Sequence, residues 1–241
     1  MATQSRILAD GRIKLVMVVM CCITAWYLGQ VLADHIFDGF LHKQLKTIQK
    51  IVQKPTFKEP APKHHKCGHR NPCPTGTFAF TVLSGAERIN PPKICFEDEI
   101  LLGSMKNNFG RGMNIAIVEA KTGKFVNAGC FDLWEGDNSG QMIEFIKKAP
   151  DGSLILMATF DDSSTRLNKE AKTYIEGLGS KLIQNLHLRG NWVFLGSKGF
   201  TLPENFQREK IINVEGTNNQ YGSWPAEIQI DGCFSPKTDY L

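Results

Sequence analysis

With 241 residues, 42% of them hydrophobic and 22% charged, the chain has an ordinary globular composition, with room for one domain plus flanking segments or for two small ones. The net charge of +4 averages two unlike parts: Lys43 to Arg70 holds eight basic residues against the single acid Glu59, whereas Asn71 to the end holds 17 Lys+Arg against 20 Asp+Glu. The basicity belongs to a tail and not to a face of the folded body, which argues against a dedicated nucleic-acid binder, and no G-x-G-x-x-G or P-loop is present to cradle a phosphate.

At the N-terminus, Arg6, Arg12 and Lys14 precede an apolar run from Leu15 to Ile23, and the stretch ends on Val31-Leu32-Ala33. A basic segment, an apolar run and small side chains before a cleavage point describe a secretory signal peptide, so residues 1–33 are expected to be removed after Ala33. An uncleaved anchor is the competing reading, because an apolar stretch of about 18 residues approaches the lower limit for spanning a bilayer. Trp26, Tyr27, Gly29 and Gln30 weaken it, and no stable membrane anchor is expected in the mature, extracellular protein.

Residues 34–66 are expected to be a basic linker or pro-segment. Phe40, Leu41, Leu45, Ile48 and Val52 have helical spacing between Phe37 and Val52, but Lys54 to Lys63 holds three prolines and too little apolar content to pack. The folded domain is expected over 67–236, with a short tail at 237–241. Phe78, Phe80 and Val82 alternate with Ala79 and Thr81 as a half-buried strand does. Apolar runs follow at Ile94 to Leu102 and Met113 to Val118, and Lys121-Thr122-Gly123-Lys124 reads as a hairpin turn into a strand from Phe125 to Leu133. Leu154 to Phe160 and Trp192 to Leu195 have the pattern of buried strands, and Ala226 to Ile230 alternates. One helix is expected from Ser139 to Lys148, capped by Asn138 or Ser139, and a second from Thr165 to Leu178, with Gly179 at the place of a left-handed cap. The pattern predicts an α+β body: two small antiparallel-rich β-sheets packed together, flanked by two or three helices and stapled by disulfides. It lacks the four long helices of a four-helix cytokine bundle.

Export changes how the cysteines read. Cys21 and Cys22 leave with the signal, and Cys67, Cys73, Cys95, Cys130 and Cys233 remain, which suggests two bridges and one free thiol in any of fifteen arrangements. His64, His65, Cys67, His69 and Cys73 form a dense cluster of metal-capable side chains, but oxidation competes with zinc in an exported domain. No metal and no cofactor are expected, and the histidines read as solvated linker residues. Asp161-Asp162, followed by Ser163, Ser164 and Thr165, reads as turn and N-cap chemistry, with no histidine nearby in sequence to complete a catalytic set. Gly136 to Gly140 places its serine one position too late for a nucleophile elbow. The chain is therefore not expected to be an enzyme. The absence of Asn-x-Ser/Thr leaves no N-glycosylation site. Arg111, between Gly110 and Gly112, and Phe131-Asp132-Leu133-Trp134 would meet if their strands pair. Arg111, Asp132 and Trp134 together would offer hydrogen bonds and a stacking ring of the kind a sugar groove uses, or else a structural ion pair beside a core-edge tryptophan.

A family resemblance runs through Lys66-Cys67-Gly68, Pro72-Cys73-Pro74, Ser84-Gly85, Lys93-Ile94-Cys95-Phe96-Glu97-Asp98, Gly110-Arg111-Gly112, Phe131-Asp132, Asp161-Asp162, Leu178-Gly179-Ser180, Trp192-Val193-Phe194, Trp224-Pro225 and Gly232-Cys233. In these motifs the chain resembles the family with sequence similarity 3, a group of secreted cytokine-like proteins. The resemblance implies two packed β-sheets lined by helices and the disulfides Cys67–Cys95 and Cys73–Cys233. Leu195 stands where a family member has its unpaired cysteine, which leaves Cys130 as the alternative free thiol. The resemblance also implies a hormone-like signal that acts on metabolic or epithelial cells through a cell-surface receptor, with regulation of insulin secretion, glucose metabolism or cell survival. The same domain type is classed with GG-type lectins, so carbohydrate binding is the alternative and glycans are candidate partners. A monomer or weak dimer is expected.

Overall fold

A computed structural model describes residues 14–35, 64–203, 207–214 and 224–236. The expected helix between Phe37 and Val52, the proline-rich stretch after it and the tail 237–241 lie outside these residues. The chain divides into two units, Met1–Ala61 and Pro62–Leu241. In the first, helix α1 (Lys14–His35) runs for 22 residues with a mean hydropathy of 2.0, and its side chains are exposed.

The second unit contains two sheets. Strands β1 (Phe78–Leu83), β2 (Lys93–Phe96) and β3 (Glu99–Leu102) form one with the last strand, β9 (Gln229–Phe234), in the order β3-β2-β1-β9. Strands β4 (Gly112–Glu119), β5 (Phe125–Phe131), β6 (Ser153–Phe160), β7 (Asn191–Lys198) and β8 (Glu209–Ile212) form the other, in the order β5-β4-β6-β7-β8. Every described pairing is antiparallel. Helices α2 (Ser139–Lys147) and α3 (Lys169–Gly177) cover one face of the five-stranded sheet. The body is thus two antiparallel sheets flanked by helices and is not a helical bundle.

The period of two along each strand divides the interior into two cores. Met113, Ile115 and Ile117 of β4, Ile155 and Met157 of β6, and Trp192 and Phe194 of β7 face Met142, Ile146, Ala171 and Ile175 of the helices. Their neighbours Ala116, Val118, Leu154, Leu156, Ala158, Val193 and Leu195 face Phe80, Val82, Ile94, Phe96, Ile230 and Phe234 of the other sheet. Strands buried on both faces read as continuous apolar runs, whereas β1 turns Phe78, Phe80 and Val82 towards the core between the sheets and Ala79 and Thr81 away from it.

Several expectations need correction. The run from Ile94 to Leu102 is two strands, because Glu97 and Asp98 take positive φ (51° and 69°) and make a tight turn between them. Asp98 Oδ1 accepts the Cys67 N–H at 3.0 Å and Glu97 Oε1 accepts the Ala79 N–H at 2.7 Å, so tertiary bonds hold a conformation that neither residue favours alone. Helix α3 begins at Lys169 and not at Thr165. Asn168 caps it, its Oδ1 accepting the Ala171 N–H at 2.9 Å, while the N–H groups of Ser164 and Thr165 turn to the Asp162 carboxylate. Asn138 stands at the N-cap of α2 without capping it, and its amide donates instead to the Asp132 carbonyl at 2.8 Å. His69 is not a solvated linker residue. It is buried, with Nε2 2.9 Å from the Phe80 carbonyl.

Two disulfides join Cys67 to Cys95 and Cys73 to Cys233, each with a Cα–Cα distance of 5.6 Å. Cys95 and Cys233 lie opposite Thr81 and Ala79 on the face of the four-stranded sheet turned away from the inter-sheet core. Thr81 Oγ1 donates to the Cys67 carbonyl at 3.1 Å across the same face. The segment around Cys67 to Cys73 is therefore stapled where a second packing layer is otherwise missing.

Candidate functional site

At one end of the five-stranded sheet, the start of β4 meets the ends of β5 and β6. Gly112 opens β4 opposite Phe160, the last residue of β6, and Met113 lies opposite Phe131, the last residue of β5. Gly112 has φ +95°, and a Cβ there would collide with the Phe131 carbonyl oxygen, so only glycine allows β4 to start this close to β5. Asn114, fully buried, ties down the turn before it, its amide donating to the carbonyls of Gly110 (2.8 Å) and Gly112 (3.1 Å) and its Oδ1 accepting the Gly110 N–H at 2.9 Å.

This turn carries Arg111 to Asp132. Nη2 donates to Asp132 Oδ2 at 2.6 Å, Nε lies 3.2 Å from both carboxylate oxygens, and Nη2 also reaches Glu135 Oε1 at 3.0 Å. Asp132 Oδ1 accepts the Trp134 N–H at 2.8 Å. The Arg111 hydrogen bond holds the Asp132 carboxyl below the usual carboxylate range, and Asp132 in turn raises the Arg111 guanidinium above its own ordinary value against the effect of burial. Trp134 joins this pair through its backbone, and its side chain stands at the surface with the residue 38% exposed. The three residues expected to meet at this sheet end are thus held together there by the Asp132 carboxylate.

The sequence pattern did not show how far the site extends. Asp161, at the turn after β6, sits in the left-handed region (φ 59°). Burial pushes its carboxyl up, and Arg88, Arg111 and Arg189 partly offset that. Arg88, on the loop after β1, stands 3.6 Å from Asp161, and Arg189, also left-handed (φ 57°), stacks its guanidinium 4.3 Å from the centre of the Trp224 ring. Asp162 is buried and works structurally. Burial pushes its carboxyl up, but bonds from Thr165, the Arg189 N–H and Ser164 outweigh this and hold it below the usual range. The Arg189 N–H reaches Asp162 Oδ1 at 3.0 Å, which fixes one loop of the rim to another. Ile89 and Leu188, beside Arg88 and Arg189, are exposed. Arginines and aromatic residues far apart in sequence gave no joint periodic signal; the motifs Asp161-Asp162 and Trp224-Pro225 were the only hints.

Among the described residues, one group of histidine and cysteine side chains comes close enough together to resemble a metal site. His69, Cys73 and Cys233 cluster within 4.8 Å, but the two sulfurs are bonded to each other and offer no thiolate. Cys130 is an exposed free thiol on β5. Glu209, unmarked in the sequence, proves to be a structural hub, with Oε1 accepting the buried Trp192 indole N–H at 2.7 Å and Oε2 the Lys181 N–H at 2.8 Å.

The chain is similar to known proteins over most of its length. The family profile described as interleukin-like EMT inducer matches residues 111–200, from Arg111 to the residues just after β7. Human protein FAM3B is 50% identical over 228 residues, 95% of this chain and 97% of that protein. Protein FAM3C of Xenopus tropicalis is 40% identical over 228 residues (94% and 97%), and human protein FAM3D is 34% identical over 228 residues (95% and 98%).

Proposed function

Because this chain belongs to the FAM3 family of cytokine-like proteins, we propose that it is a secreted signal whose folded body docks on a cell-surface receptor of metabolic or epithelial cells. The observation that carries this reading is the rim itself. Arg88, Arg111 and Arg189 act on Asp161, Trp134 is tied to Asp132, the partner of Arg111, and Trp224 stacks on Arg189, with Ile89 and Leu188 exposed beside Arg88 and Arg189. Tryptophan and arginine dominate the energetics of protein–protein contacts, and a rim fixed by internal bonds loses little entropy on docking. Export is supported by α1, apolar along its length and preceded by Arg6 and Arg12, and by the two disulfides. On this reading residues 1–33 are the signal peptide, cleaved after Ala33, 34–66 a linker and 67–236 the signalling domain, which works by binding and needs neither catalysis nor a cofactor.

The test is binding of labelled protein to epithelial, hepatic and islet cells. Arg111→Ala and Arg189→Ala are expected to weaken saturable binding at least about tenfold each while unfolding remains cooperative. Undiminished binding by both variants would remove the rim from the reading, and absence of saturable binding to all three cell types would remove the receptor.

Carbohydrate recognition is the second reading, favoured by one observation: a partly exposed Arg–carboxylate pair lies beside a tryptophan that stands at the surface. Sugar-array binding abolished by Trp134→Ala supports it, and an array without signal dismisses it.

A further inference from the structure

The two disulfides differ in burial. Cys67 and Cys95 are 7% and 1% exposed, whereas Cys73 and Cys233 are only partly buried. Cys73 also lines a surface cavity of about 420 Å³, with Pro72, Pro74, Thr75 and Thr77 around it. A thiol reductant therefore has a path to the Cys73–Cys233 bridge, while packing shields the other. Opening this bridge leaves the segment anchored. Thr81 Oγ1 still donates to the Cys67 carbonyl at 3.1 Å, Asp98 Oδ1 still accepts the Cys67 N–H at 3.0 Å, and Cys233 stays opposite Ala79 in the ladder of β9 with β1.

Beside the bridge lies His69, 8% exposed. Its Nε2 is 2.9 Å from the Phe80 carbonyl oxygen, which can accept but not donate, so the neutral ring carries its proton there and keeps its lone pair on Nδ1. Nδ1 stands 3.7 Å from Cys73 Sγ, and a disulfide sulfur has no proton to give it. An imidazole anchored through one nitrogen to a backbone carbonyl is how metal-binding proteins orient a histidine ligand. Nδ1 and the two Sγ atoms lie within 4.8 Å of one another. Around a tetrahedral zinc ion the S···S and N···S distances are about 3.8 and about 3.5 Å, so Nδ1 is already near its place and the sulfurs need to part.

We propose that reduction of the Cys73–Cys233 bridge turns this corner into a zinc site, with Cys73, Cys233 and His69 as three ligands and water as the fourth. A dithiol reductant supplies two electrons and two protons and becomes a disulfide itself, and the bridge becomes two thiols. Zinc then displaces both thiol protons to solvent and binds the two thiolates and Nδ1, which has no proton to lose. Two thiolates and an imidazole suit zinc and not calcium or magnesium, which take oxygen ligands. A permanent staple across the four-stranded sheet thereby becomes one that depends on the metal.

The test titrates cobalt and then zinc into the full chain as animal cells produce it, carrying Cys130→Ser, before and after dithiol treatment and anaerobic removal of the dithiol. Mass mapping is expected to find Cys73 and Cys233 reduced and Cys67–Cys95 intact. The reduced chain takes one cobalt ion with a thiolate charge-transfer absorption, which zinc removes. Neither the oxidised chain nor the paired variant Cys73→Ser, Cys233→Ser shows that absorption. His69→Gln, whose amide can still donate to the Phe80 carbonyl, lowers zinc affinity at least about tenfold while the oxidised chain unfolds cooperatively. A reduced chain without the absorption overturns the proposal. So does earlier opening of Cys67–Cys95, an absorption that survives in the paired variant, or a zinc affinity unchanged by His69→Gln.

Discussion

The two sheets turn one face towards each other and must close the opposite face by different means. The five-stranded sheet is covered by α2 and α3, which bring Met142, Ile143, Ile146, Ala171 and Ile175 onto Trp192 and Phe194. Among the described residues, no α-helix covers the outer face of the four-stranded sheet. There the segment from Cys67 to Cys73 is drawn across it by two disulfides and by Thr81 and His69. Apolar burial secures one sheet, and covalent bonds secure the other, where there is too little apolar surface to do so. The contrast teaches that a disulfide marks where a fold lacks a packing layer.

The largest expected effect breaks that contrast at its staples. The bridge Cys73–Cys233 closes a separation of 160 residues and Cys67–Cys95 one of 28, so on the chain-entropy model removing them with paired serine substitutions costs about 5 and about 4 kcal/mol. Denaturant titration checks the totals. Hydrogen exchange should show amides of β1 and β9 released more than those of β4 and β6, and equal release would mean that the two sheets are one cooperative unit. The next effect lies on the packed side. Trp192→Ala removes a fully buried indole and takes one of several donors from Glu209, at a cost of about 4 kcal/mol measured by thermal unfolding, with both disulfides intact by non-reducing mass mapping.

At the rim the effects are smaller. Asp132→Asn should cost about 1 kcal/mol at neutral pH by weakening the Arg111 pair. Because the folded carboxyl is held below its unfolded value, that contribution is fully present above about pH 4 and disappears as pH falls through the depressed folded value. Melting temperatures of the two proteins should therefore converge in acid. The smallest change is expected at Asp161→Asn. Burial raises this carboxyl, so its ionisation weakens the fold as pH rises, and asparagine tolerates φ 59° well, which leaves the neutral-pH melting temperature unchanged or about 1–2 °C higher despite the lost Arg88 contact.

Much of the fold is legible in the sequence because local chemistry decides it. Alternation at Phe78, Phe80 and Val82, apolar runs at Met113 to Val118 and Leu154 to Phe160, and the turn at Gly123 give strand type and place without reference to the rest of the chain. The Arg111–Asp132 approach is legible on the same ground, since a hairpin between β4 and β5 brings the two residues to one end. β8 passes unnoticed because its four residues pair with β7 without a pattern of their own.

What only the tertiary structure decided depends on partners distant in the chain. Glu97 and Asp98 split an apolar run because Ala79 and Cys67 supply the donors, His69 is buried because the Phe80 carbonyl receives it, and α3 starts late because Asp162 takes the N–H groups of Ser164 and Thr165. Arg88, Arg189 and Trp224 join Arg111 at one rim only once loops separated by up to 136 positions close on the same sheet end. Periodicity reports which face of a strand is buried, because that is fixed by backbone geometry. Which polar groups meet is fixed by where distant segments end, and no local pattern encodes that.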